Sequence, residues 1–211
     1  MSLGALAGGT AVEMFHQDKT EIVDGVAGND RITGTVSVVL LVLLVAEAAT
    51  IPFIGQLRRP HIFLGMLLLG PLALKLSSTG YRFARYYART PAYLRNGPPA
   101  LGMRLLAPGV VVTTVALFAT GVALLIAGPG NGQLQFLHKL SFIVWIAFIS
   151  AHVLGHLLEL PRLATPDWRR SAPGVMRLAG AGPRFLLLAT SVTAGLGLGF
   201  LGLHIAGSWL S

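Results

Sequence analysis

Cysteine is absent from this chain, and charged residues are scarce, making up only 11% of the 211 residues. Without cysteine the protein cannot form disulfides, hold an iron–sulfur cluster through thiolates or use a thiol as a nucleophile. A soluble domain normally carries about 25% charged residues. Acidic residues are the rarest of them, with 8 Asp and Glu against 16 Lys and Arg. The composition therefore excludes thiol chemistry and is not that of an ordinary soluble domain.

Hydrophobic residues, in contrast, account for 54% of the chain, and several apolar runs approach the roughly 20 residues that cross a bilayer. We predict an all-α, polytopic membrane helix bundle with spans at about 35–53, 61–78, 109–127, 137–158 and 185–205. This bundle would occupy residues 34–211. Residues 1–33 contain five acidic side chains and lack the apolar core of a signal peptide, so they are interpreted as a polar N-terminal segment.

Basic residues predict the orientation of the spans. The polar loops 79–108 and 159–184 contain five arginines each, whereas the opposite side offers only Arg58, Arg59 and Lys139. The excess places both loops and the N-terminus in the cytoplasm and the C-terminus outside, in the inner membrane of a bacterium. The net charge of +8 is then accounted for by topology. Membrane lipid is the expected partner of these loops, and nucleic acid is not.

The fourth predicted span carries His138 and His152, which are 14 residues apart. On a helix this spacing leaves the two side chains about 40° apart and roughly 21 Å apart along the axis, so they share one face. His61 and Lys75 have the same spacing in the second span, which runs parallel to the fourth. His61 and His138 are therefore expected at one depth near the outer face, and Lys75 and His152 near the inner face.

Two histidines facing each other from neighbouring helices are what bis-imidazole ligation of haem b requires. We therefore predict a haem whose iron is bound by His61 and His138. Gly65 and Gly70 follow His61 in the same span, and the absence of a side chain there could give the macrocycle clearance.

The run HIFLGMLLLGPLALKLSSTGYRFARYY and the later run LHKLSFIVWIAFISAHVLGH resemble the four-helix haem-carrying core of membrane cytochromes b. That group includes the di-haem subunits that link dehydrogenases to quinone. The runs are also similar to small, uncharacterised bacterial membrane proteins of the same kind. The resemblance covers about residues 31–158. It implies a haem b electron-transfer subunit that passes electrons between quinone and a partner oxidoreductase.

The chain departs from the di-haem pattern at Lys75, where a second haem would have its fourth histidine. Three interpretations stay open. Lys75 ligates the iron of an inner haem opposite His152, or it pairs with a haem propionate while His152 or His156 is the only protein ligand. In the third, Lys75 extends its ammonium group to the cytoplasmic interface and no haem lies there. One haem is thus expected, and a second is an open alternative.

Two further ionisable residues lie within predicted spans. Glu47 is close to the outer end of the first span, where it could exchange protons with quinone or simply pair with Arg58 or Arg59. His204, near the outer end of the fifth span, is interpreted as interfacial, with lining of a quinone pocket as the alternative. Because the chain contains no nucleotide or flavin motif, we expect a non-catalytic subunit of a membrane oxidoreductase. The competing hypothesis is a haem-free transporter or assembly subunit.

Overall fold

The computed structural model describes residues 28–95, 101–157 and 181–210, and this part of the chain is helical with short turns and no strand. Five of its helices are long and apolar enough to cross a membrane, which confirms the predicted number of spans. The helices are α1 Gly28–Phe53, α2 Arg58–Tyr87, α3 Pro91–Arg95, α4 Leu101–Ala127, α5 Gly132–Leu157, α6 Ala181–Ile205 and α7 Gly207–Leu210.

The membrane helices are longer than their apolar runs. α1 begins at Gly28, inside the segment predicted to be polar, and α2 continues to Tyr87 instead of ending near residue 78. Polar side chains permit both extensions because they bond across the α1–α2 contact: Arg82 donates to Asp30 Oδ1 at 2.9 Å. Much of the predicted loop 79–108 is therefore helical. Residues 1–27 and 158–180, with most of the second basic loop, lie outside the described residues.

Antiparallel packing of α2 on α6 is the most extensive contact among the helices from α2 to α7, and it depends on glycine. A Cβ atom added at Gly195 would meet the Leu67 carbonyl oxygen, and one at Gly199 would lie 2.8 Å from the Phe63 ring. One at Gly70 would meet the backbone of α6. Small residues at such positions let two backbones approach in lipid, where helix association depends on close packing.

α4 and α5 form the second close pair, an antiparallel hairpin joined through Gly128, whose φ of +83° suits glycine. Trp145 Nε1 donates to Thr114 Oγ1 at 3.0 Å in the buried interior of this hairpin. Fewer close contacts join the two pairs. Met66 of α2 and Leu125 of α4 share one apolar cluster, and Phe118 of α4 packs against a second, formed by Val36, Leu40 and Leu68. Elsewhere large apolar side chains are exposed, as expected for helices that face lipid.

Candidate histidine site

His61 lies in the first turns of α2, and its imidazole faces the end of α1. Its Nδ1 is 2.8 Å from Thr50 Oγ1 and 3.0 Å from Glu47 Oε1. The single hydroxyl hydrogen of Thr50 is donated to the Glu47 carbonyl oxygen at 2.6 Å. Thr50 can therefore only accept from His61, so Nδ1 carries the proton and Nε2 presents a lone pair.

His138 lies near the start of α5 and faces α4 in an analogous way. Its Nδ1 is 3.3 Å from Thr120 Oγ1, and Thr120 donates its own hydrogen within α4, to the Ala116 oxygen at 2.7 Å and to the Leu117 oxygen at 2.9 Å. Because that hydroxyl is already committed as a donor, His138 Nδ1 is the donor to Thr120. Nε2 of His138 is again the nitrogen with the lone pair.

His61 lies near the start of α2 and His138 near the start of α5, and the start of α2 packs on the end of α4 that leads into α5, so the structure places the two predicted outer ligands at the same end of the bundle. We call this the histidine end. α2 and α5 themselves do not form one of the close helix pairs of the bundle. Each histidine instead packs on its own neighbour, His61 on α1 and His138 on α4. Within the described residues, no group of three or more His, Asp or Glu could hold a bare metal ion.

Glycine shapes both histidine environments, although in one case differently from the prediction. A Cβ at Gly121 would lie 3.0 Å from Cε1 of His138, so that imidazole rests directly over Gly121. A Cβ at Gly65 would lie 3.2 Å from Glu47 Oε1, so the clearance at Gly65 accommodates the carboxylate. At Gly70 the clearance is taken up by α6 and serves helix packing.

Glu47 pairs with His61, and not with the arginines that the sequence offered as alternatives. Its side chain is 15% exposed, and its second oxygen, Oε2, is buried with no hydrogen-bond partner among the described residues. Arg58 is engaged elsewhere: it donates to the Trp209 carbonyl oxygen at 2.8 Å and lies 6.0 Å from the centre of the Trp209 ring. The intramembrane carboxylate is thus directed at the histidine site.

Lys75 lies at the opposite end of the bundle, which we call the lysine end, and is bound to α1. Its Nζ donates to Ser37 Oγ at 2.7 Å and to the Thr33 carbonyl oxygen at 3.2 Å. None of the three sequence-based interpretations included these bonds. They direct the ammonium group at α1, whereas His152, its proposed partner, is a partly buried residue of α5.

His204 is exposed near the end of α6, and nothing in the described residues places it at the site. The side chain of His156 lies outside what the structure describes. The residues that sequence reasoning missed are Thr50, Thr120 and Gly121. Thr50 could have been noticed, since it follows Glu47 by one helical turn, but no spacing connects Thr120 with His138. Comparison of the chain with protein-family models, with curated proteins and with solved structures finds no match.

Proposed function

We propose that this protein is a haem b-binding membrane electron-transfer protein in which His61 and His138 are the axial ligands. The observation that supports this proposal is the shared position of the two Nδ1 atoms, each next to a threonine hydroxyl that already contacts a backbone carbonyl oxygen of its own helix. This arrangement assigns the ring hydrogen to Nδ1 in both histidines. Each ring donates from Nδ1 to a threonine that can only accept, and each leaves Nε2 for a metal. A hydrogen bond to the second ring nitrogen is the usual support of a metal-ligating histidine.

A pair of imidazoles suits haem better than it suits a bare ion, because the porphyrin contributes four further ligands itself. When bound, haem supplies a one-electron iron couple. The protein's residues then have three tasks: Thr50 and Thr120 orient the rings, Gly121 provides space for His138, and the exposed apolar helix faces keep the bundle in lipid.

Electron exchange with quinone and with a partner oxidoreductase belongs to the same proposal, as does the orientation with the histidine end outside a bacterial inner membrane. The proposal concerns one haem. A second, bound by His152 or His156 with or without Lys75, stays a prediction, because Lys75 would have to leave Ser37 and Thr33 in order to ligate iron.

The test is the absorption spectrum of the purified full chain in detergent. We expect the bands of reduced haem b in a dithionite-reduced minus oxidised difference spectrum, and a pyridine haemochrome assay should count one haem per chain. A chain that is well folded by circular dichroism, expressed with haem supplied, and colourless would contradict the proposal. It would favour the haem-free transporter or assembly subunit.

A further inference from the structure

The two histidines have unequal surroundings. His138 has a threonine partner at 3.3 Å, whereas His61 has a threonine at 2.8 Å and a carboxylate oxygen at 3.0 Å on the same nitrogen. Both partners of His61 come from one turn of α1, because Glu47 and Thr50 are three residues apart and the Thr50 hydroxyl is tied to the Glu47 carbonyl oxygen. Among the described residues, a carboxylate therefore lies beside His61 and none lies beside His138.

Placing the Glu47 carboxylate at this position costs free energy, because it lies within a membrane span. A carboxylate inside a membrane span is costly unless it is paired or serves a function. Among the described residues Asp30 forms an ion pair with Arg82, whereas Glu47 lies against the neutral imidazole of His61 and has no other basic side chain as a partner. The absence of a side chain at Gly65, directly beside Oε1, leaves room for the carboxylate at this position.

We infer that Glu47 is a positioning residue that acts through His61 and lowers the midpoint potential of the haem iron. The inference rests on the proposed function. A carboxylate oxygen 3.0 Å from Nδ1, beside the hydrogen bond from Nδ1 to Thr50, polarises the ring and makes Nε2 a stronger electron donor. In its ionised form its negative charge also offsets the positive charge of a ferric centre. Both effects favour ferric over ferrous iron. Only one electron is gained or lost at the iron, and no bond of Glu47 or His61 is broken.

Thr50 has the simpler role of fixing the ring orientation. Thr50 adds no charge, so replacing it should loosen the ring but change the midpoint potential much less than replacing Glu47. Thr120 on the other side offers a matched control, since it is also a threonine that accepts from the ligand and has no carboxylate beside it.

The experiment is a spectroelectrochemical redox titration of the haem-loaded protein in detergent at fixed pH and ionic strength. In Glu47→Gln we expect the ferrous-to-ferric ratio at a fixed potential to rise about tenfold, which is a 59 mV increase in midpoint potential for a one-electron couple. Thr50→Val and Thr120→Val should each change the ratio by less than about threefold. Glu47→Asp, which keeps the charge, should restore most of the wild-type value.

A haem-loaded Glu47→Gln protein with the wild-type midpoint potential would overturn the inference and leave the haem proposal intact. If Glu47→Gln does not retain haem, Glu47→Ala replaces it, because it also removes the carboxylate beside Nδ1 but introduces no amide group. Its midpoint potential should also rise, and an unchanged value would overturn the inference. A wild-type chain that binds no haem would instead refute the proposed function itself.

Discussion

At the histidine end and at the lysine end, α2 directs one polar side chain onto α1, and the two contacts are constructed alike. Thr50 and Ser37 each donate their hydroxyl hydrogen to a carbonyl oxygen of α1, and each then accepts from α2, from His61 and Lys75 respectively. The two contacts differ in which atoms of the α2 side chain stay available for other partners. His61 keeps one ring nitrogen for a ligand, while the ammonium group of Lys75 is held against α1. The same kind of helix contact therefore leaves a ring nitrogen available at one end and holds a charged group against α1 at the other.

The largest effects are expected when the polar side chains at each end are removed. His61→Ala and His138→Ala should each lose essentially all bound haem, because one imidazole of a bis-histidine site does not replace the other. Lys75→Met and His152→Ala should keep one haem per chain by the pyridine haemochrome assay. His204→Ala, at an exposed histidine, is the control. Loss of haem in Lys75→Met would mean that the lysine end holds a cofactor.

A smaller effect is expected from crowding His138. In Gly121→Ala the new methyl group would lie 3.0 Å from Cε1, so the ring must shift. Overpacking typically costs about 1–3 kcal/mol, which corresponds to roughly tenfold or more in haem affinity. Gly102→Ala on the same helix is the matched control, because its added methyl group would have no neighbour within 4 Å. Equal haem affinity in both variants, measured by titration of the apoprotein, would contradict the placement of His138.

At the lysine end the expected loss is of stability. Ser37→Ala removes the 2.7 Å acceptor of the Lys75 ammonium group and should destabilise the protein by about 1 kcal/mol. Ser77→Ala, at an exposed position on α2, is the control. Thermal unfolding in detergent measures the change, and the haem content should stay at its wild-type value. A fall in haem content would show that the two ends are not independent.

The smallest effect is expected at the ion pair that closes the lysine end. The side chains of Arg82 and Asp30 are 43% and 33% exposed, so the pair should contribute about 0–1 kcal/mol. Asp30→Asn should therefore lower the unfolding temperature slightly at low salt and have no effect at high salt. A large, salt-independent decrease would mean that the polar extension of α1 is essential to its position.

The helical architecture was accessible from sequence because lipid demands long apolar runs, and the run lengths alone predict five spans. The helix ends were not accessible in the same way. Gly28–Thr33 is helical because its polar side chains find partners on α2, such as Ser78, which accepts a hydrogen bond from Asn29 through its carbonyl oxygen at 3.3 Å. Hydropathy treats these residues as loop, since it contains no information on partners across a helix contact.

For the site, the 14-residue spacing correctly predicts that His61 and Lys75 share a face of α2, since both contact α1. What it does not contain is the identity of the neighbouring helix. The fourth span was expected opposite His61. In the structure the neighbours of His61 Nδ1 are Glu47 and Thr50, which belong to α1. The direction taken by Lys75 depends on Ser37 and Thr33, two residues that no motif distinguishes.

The division of the bundle into two helix pairs has a consequence for assembly. His61 belongs to α2, which is joined tightly to α6 through glycine, and His138 belongs to the α4–α5 hairpin. A membrane protein can insert its helices first and bring them together afterwards. In this chain a ligand held by both histidines would add a second connection between pairs that already share the Met66–Leu125 cluster, so loading would stabilise the joined bundle. If the proposed haem is that ligand, the haem-free chain should be the less stable form and the more readily digested by a protease in detergent.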